Sequence, residues 1–193
     1  MAFNLYMNSI IIMDSYKFAE YVDRIFYPSI SVIAGIVVLL IYLYNSLYWS
    51  NDVAVIMLSG AVYLASVYFG KRFVENEDAL YFFSAVIAIF AFTFLSVNIP
   101  VSKEFYFAIL SIFLVSVVTY FIRYRWKVSA HMSAICSIFV ILLLVDRVFW
   151  FIILVLPVVA WSRLKLKAHT PAQVIVGTLL GIVAPYFIYL ILL

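Results

Sequence analysis

What constrains this chain most is a succession of long apolar runs, 29–48, 53–70, 79–98, 104–122, 131–145, 148–161 and 171–192, parted only by short polar breaks. About 20 apolar residues in helical form cross the hydrocarbon of a bilayer. The runs do not alternate apolar with polar residues, so they read as helices rather than barrel strands. Composition agrees, with 68% of the 193 residues hydrophobic, 11% charged and a mean hydropathy of +1.20. A soluble domain of this size could not cover such a surface with polar groups. In lipid every backbone polar group has to be paired inside a helix or a closed barrel. The expected fold is all-α: a polytopic transmembrane helical bundle of six to seven spans plus an N-terminal interfacial helix.

The chain reads as one membrane domain with no internal repeat. Residues 1–28 form an interfacial segment, 29–122 scaffold spans, and 123–193 a hairpin and a last span. Residues 1–13 are apolar but lack a basic start and a small-residue cleavage site, which argues against a cleaved signal peptide. Over 14–27, Phe18, Val22 and Ile25 fall on one helical stripe and Lys17, Glu20 and Arg24 on another. That pattern predicts a helix lying in the interface, closed by Pro28. Tyr and Trp gather near span ends (Tyr42, Tyr44, Tyr48, Trp49, Tyr120, Tyr124, Trp126, Trp150, Trp161), as in an aromatic belt. Gly177 and Gly181, four apart, predict close packing of the last span. Pro157 and Pro185 predict kinks, and Asp146-Arg147 an interfacial turn.

Two polar clusters bracket the apolar hairpin 132–161. One runs from Arg123 through Arg125, Lys127 and Ser129 to His131; the other from Ser162 and Arg163 through Lys165 and Lys167 to His169. If both legs cross the membrane, the clusters return to one face, bringing both histidines and half of the twelve Lys and Arg residues together. On this near face also fall the N-terminal helix and the loop 71–78, leaving Lys103 and Arg147 as the basic residues of the far face. A literal count makes the near face cytoplasmic. With the site loops set aside the count ties, so orientation stays open. The legs 131–145 and 148–161 are short for spans, and they fit if their polar ends dip inward.

Each cluster ends at a helix start. Ser129 can cap the helix entered at His131, and Thr170-Pro171 is a cap followed by a first-turn proline. Two helix N-termini aim unpaired N–H groups and positive dipole ends at one place. With Arg163 and Lys127 beside them, that place suits an anion, phosphate above all. Two histidines at its rim offer a nucleophile and a general acid. A metal held by His131 and His169 would lack a third ligand at suitable spacing. So apolar a chain is not a nucleic-acid binder, and the single Cys136 says nothing about compartment.

Ser162-Arg163-x5-His169 resembles the third motif of the type 2 phosphatidic acid phosphatase and haloperoxidase superfamily, Ser-Arg-x5-His-x3-Asp. Val128-Ser129-Ala130-His131 is similar to its second motif, Pro-Ser-Gly-His. The likeness covers about the last 75 residues, with the rest comparable only as helical scaffold. It implies a membrane phosphatase acting on a lipid phosphate or prenyl (di)phosphate through a phosphohistidine, with no cofactor and no metal. His169 would attack phosphorus, His131 would protonate the leaving oxygen, and Arg163 would hold the phosphate oxygens. Ser129, Ser162, Lys127, Arg123 and Arg125 would complete the phosphate site. The first motif, Lys-x6-Arg-Pro, keeps only its lysine, at Lys71. Gln173 stands where the third motif ends in Asp, which leaves it the orienting role unless Glu75, Glu77 or Asp78 reaches the site. The alternative is a lipid-phosphate binding or transport protein that retains the anion site without turnover. The oligomeric state is not legible.

Overall fold

A computed structural model describes residues 2–192, with side chains from 14 to 76 and from 79 to 192. Among the described residues the chain is all-α, and its helices run α1 (Ala2–Ile25), α2 (Pro28–Tyr42), α3 (Trp49–Gly70), α4 (Glu77–Asn98), α5 (Lys103–Arg125), α6 (Ala130–Val145), α7 (Val155–Lys165) and α8 (Pro171–Leu192), with a 3-10 segment, Arg147–Leu154, leading into α7. Five helical stretches are long and apolar enough to cross a membrane: α3, 79–98 of α4, α5, the 3-10 segment with α7, and α8. The pair α1–α2, bent by 55°, makes a sixth if it counts as one span. The chain is a multi-pass integral membrane protein.

α6 is the centre. His131 through Leu142 are all buried, and α8, α2, α5 and α7 surround them. At about 1.5 Å per residue α6 is only about 24 Å long, short of the roughly 30 Å of hydrocarbon. It tolerates this because its neighbours, not lipid, cover it; a helix apolar on all sides is a core helix. α8 comes close enough that a Cβ at Gly177 would stand 2.5 Å from the Ser129 carbonyl oxygen, and one at Gly181 2.6 Å from that of Ser133. The four-residue glycine spacing therefore does what it predicts, bringing two backbones together.

The other leg of the hairpin solves its length differently. From Arg147 to Leu154 it winds as a 3-10 helix, which rises about 2.0 Å per residue and brings the leg to about 32 Å overall. Asp146 starts it, with Oδ1 accepting the Val148 N–H at 2.8 Å and Oδ2 accepting the Tyr42 hydroxyl at 2.6 Å. The winding changes at Val155, ahead of Pro157, whose missing N–H falls in the first turn of α7, where it costs no helical bond.

Two boundaries differ from expectation. The run 29–48 is helical only to Tyr42, and 43–48 turns back so that Trp49 Nε1–H donates to the Leu40 carbonyl at 2.8 Å. The N-terminal segment is helical from Ala2 to Ile25 and packs on α7. Its inward stripe is Ala19 and Val22, 0% and 4% exposed, while Phe18 and Ile25 face outward. The expected apolar stripe is therefore rotated, because small Ala19 permits close approach to α7. That rotation turns Asp23 toward the bundle.

α3 and α4 pack mainly on each other, with α4 joined to α5 by the stacked rings of Phe82 and Tyr120, 4.1 Å apart. They form an outer hairpin beside the core.

Candidate functional site

α5 ends at Arg125, α6 begins at Ala130, α7 ends at Lys165 and α8 begins at Pro171, so the 126–129 and 166–170 loops meet at one end of the bundle. The seam is a backbone hydrogen bond, Ser129 N–H to the Gln173 carbonyl at 3.2 Å. Ser129 is fully buried, and its Oγ accepts the Met132 N–H at 3.5 Å, capping α6 as its position predicts. The 166–170 loop leaves α7 through a C-terminal cap in which Ala168 N–H reaches the Arg163 carbonyl and Lys167 N–H that of Leu164. This is the Schellman pattern, and Lys167 takes the left-handed conformation usually left to glycine, at φ 52°.

Arg163 and His131, each 8% exposed, converge on one carboxylate and form a buried polar pocket with it. Between them lies Asp23, from α1. Its Oδ1 pairs with the Arg163 guanidinium and lies 3.2 Å from His131 Nε2. Arg163 Nε, also buried, has no hydrogen-bond partner among the described residues. The Tyr27 ring, at the bend between α1 and α2, meets the His131 ring edge-on at 5.7 Å. Asp23 escapes the sequence reading because nothing in the order of residues ties α1 to α7. The available signal is the helical stripe Ala19, Val22, Asp23, Phe26, one acid on the side with the smallest residue.

His169 lies half-buried on the loop, its Nδ1 3.3 Å from Gln173 Oε1. Burial, then the Arg163 charge, holds its imidazole below the ordinary value, against hydrogen bonds to Gln173 and to the Lys127 backbone that favour the charged ring. Gln173 has a second duty. Its Oε1 accepts the Thr170 N–H at 3.0 Å while Thr170 Oγ1 accepts the Gln173 N–H at 3.4 Å, a reciprocal capping box for α8.

The remaining expected residues divide. Arg123 is near enough for its charge to act at His131. Arg125 is exposed and lies 5.7 Å over the Tyr124 ring, and Lys127 contributes its backbone beside His169 while its side chain is exposed. Ser162, fully buried, donates to the Ala19 carbonyl at 3.2 Å and so ties α1 to α7. Lys71 sits exposed at the end of α3, on the outer hairpin, and no described interaction joins it to the pocket. Glu75 is likewise exposed there, and the side chains of Glu77 and Asp78 lie outside the described residues. Among the described residues no three His, Cys, Asp or Glu side chains are grouped as a metal would require. No protein-family model, curated protein or solved structure matches this chain.

Chemically, the pocket offers a buried guanidinium with an unused N–H edge, two imidazoles and two helix N-termini. Such a set is chemically able to bind an anion, and histidines can move a proton or form a bond to phosphorus.

Proposed function

We propose that the chain is a metal-independent membrane phosphatase that hydrolyses a lipid phosphate or prenyl (di)phosphate through a phosphohistidine on His169. The observation that carries this reading is the buried Arg163, with its Nε unpartnered among the described residues, facing His131 and one short loop from His169. The likeness of Ser162-Arg163-x5-His169 to the lipid-phosphatase motif gives the order of roles. With Nδ1–H donated to Gln173, the other nitrogen of His169 attacks phosphorus and the ester or anhydride bond breaks. His131 gives the leaving oxygen its proton, and water then releases phosphate from His169. Arg163 grips the oxygens on which charge develops, with the α6 and α8 N-termini behind it. The apolar tail of the substrate stays among the helices, as in a protein of the cell membrane. In this reading α6 traverses with its neighbours, making six to seven spans, and the start of α1 lies along the interface.

Hydrolysis of a short panel of lipid phosphates by the purified protein, with His169→Ala as control, tests the proposal. Phosphate release that survives His169→Ala would refute the phosphohistidine. His131→Ala should hurt least on aryl phosphates, whose leaving groups need no proton. Equal loss on aryl and lipid phosphates would remove His131 from the acid role.

One observation favours a second reading, a lipid-phosphate binding or transport protein without turnover. Gln173, in place of the motif's Asp, serves the α8 capping box and brings no charge to His169. Phosphate-lipid binding without hydrolysis across the panel would select this reading.

A further inference from the structure

One carboxylate oxygen fills the place an anion would take. Asp23 Oδ1 meets both the Arg163 guanidinium and His131 Nε2, the latter at 3.2 Å, and the two side chains it meets are only 9% and 10% exposed. A guanidinium presents a fork of donors. Asp23 does not use all of it, for Arg163 Nε stays without a hydrogen-bond partner among the described residues. Asp23 also arrives on an element of its own. α1 packs on α7 through Ala19 and Val22, is tied to it by the Ser162–Ala19 hydrogen bond, and ends two residues later at the 55° bend before Pro28.

Resting on the phosphate reading above, we propose that Asp23 is a specificity-determining residue, an internal anion that a ligand must displace from Arg163 and His131, so that the site admits dianionic terminal phosphoryl groups and rejects monoanionic phosphodiesters and carboxylates. The physical reason is competition. A tethered group acts at an effective concentration of about millimolar or more, so a free ligand has to bind better than the carboxylate it replaces. A monoanion returns no more than the charge it displaces. A dianionic phosphoryl group brings a second charge and three terminal oxygens. It can use the spare Nε edge of Arg163 together with the helix N-termini. The same selection fits a lipid monophosphate, a diphosphate and free phosphate.

The test is calorimetric binding to the purified full chain, with inorganic phosphate in its dianionic pH range and with dimethyl phosphate. The wild type should bind phosphate and ignore dimethyl phosphate. Asp23→Asn, which keeps the shape and loses the charge, should bind phosphate about tenfold tighter or more and should now take up dimethyl phosphate. Ala19→Leu removes no polar side chain and wedges α1, with Asp23, off α7; it should move both affinities the same way. A wild type that binds the diester as well as phosphate overturns the inference. So does an Asp23→Asn protein that binds phosphate no better, which would make Asp23 a support of the site. If Asp23→Asn does not fold, unchanged or weaker phosphate binding by Ala19→Leu overturns it alone. Vesicles of phosphatidate or of phosphatidylglycerol, competing against bound phosphate, separate the ligand sources. Competition by phosphatidate alone supports the inference, and competition by both overturns it. Competition by neither keeps the role of Asp23 for a soluble anion and defeats the lipid-phosphate reading instead, whereas selective phosphate binding without turnover keeps that role and defeats only the phosphatase reading.

Discussion

Two acids hold opposite ends of this bundle, and they are used in opposite ways. Asp52, at the far end and fully buried, accepts the Ser102 N–H on one oxygen at 2.8 Å and the Ser102 hydroxyl on the other at 2.7 Å. Ser102 in turn caps α5. Every strong partner is used, and the donors are neutral. Asp23, at the near end, concentrates a guanidinium and an imidazole on one oxygen and leaves an N–H of the guanidinium unmatched. A closed set of hydrogen bonds stabilises the fold and has nothing left to offer a ligand. An open set of charged groups costs stability and keeps binding capacity. On the proposed reading, the near end is the working end.

The widest separation of the two ends comes from removing one group at each. His169→Ala should lower turnover on the order of 10⁴-fold or more, since no other group can carry the phosphoryl, while leaving thermal unfolding near its wild-type midpoint. Asp52→Ala should do the reverse. It orphans the buried Ser102 N–H and hydroxyl and should cost about 2–3 kcal/mol of stability with the rate per folded molecule unchanged. A slowed but fully stable Asp52→Ala protein would erase the distinction between the ends.

Gly177→Ala should affect stability and rate together. Its Cβ would stand 2.5 Å from the Ser129 carbonyl oxygen and 3.3 Å from the Met132 Cβ, so the α6 start must shift. A cost of about 1–3 kcal/mol is expected, with a fall in rate because His131 moves with the helix. Full activity in a stable Gly177→Ala protein would show that the seam does not position the site.

Gln173→Glu sharpens the near end in a milder way. It keeps the reach of the capping box and adds a charge next to His169, so turnover should rise about tenfold and the charged imidazole should be favoured. In the wild type, His169 has a folded pKa below its ordinary 6.5. The unfolded chain therefore binds a proton more readily there, and stability is present above pH 6.5 and declines as pH falls below it. The acid limb of turnover should likewise lie below 6.5 in the wild type and move up in Gln173→Glu. Rate profiles of the two proteins that superimpose would dissociate Gln173 from the chemistry.

The smallest effect concerns the loop that carries His169. Lys167 holds a left-handed backbone at φ 52°, and Lys167→Gly should remove about 1 kcal/mol of strain, read as a raised unfolding midpoint. A lowered midpoint would mean that the lysine side chain contributes more than its backbone costs.

By itself the sequence determined the helical membrane class, the positions of most spans, the capping of α6 by Ser129 and of α8 by Thr170, and the return of two polar clusters to one end. All of these follow from local signals: apolar run length, cap residues and the alternation of crossings. Gly177 and Gly181 were legible for the same reason, since a helix fixes which residues share a face. Tertiary structure decided the rest. It buried short α6 on all sides, drew out the other leg as a 3-10 helix, gave Ser162 to the Ala19 carbonyl, and left Lys71 on an outer hairpin. It also brought Asp23 across 140 residues to Arg163, a pairing that no pattern within α1 or α7 contains. Such contacts depend on which helix packs against which, and small differences in side-chain volume, here Ala19 against its larger neighbours, settle that choice.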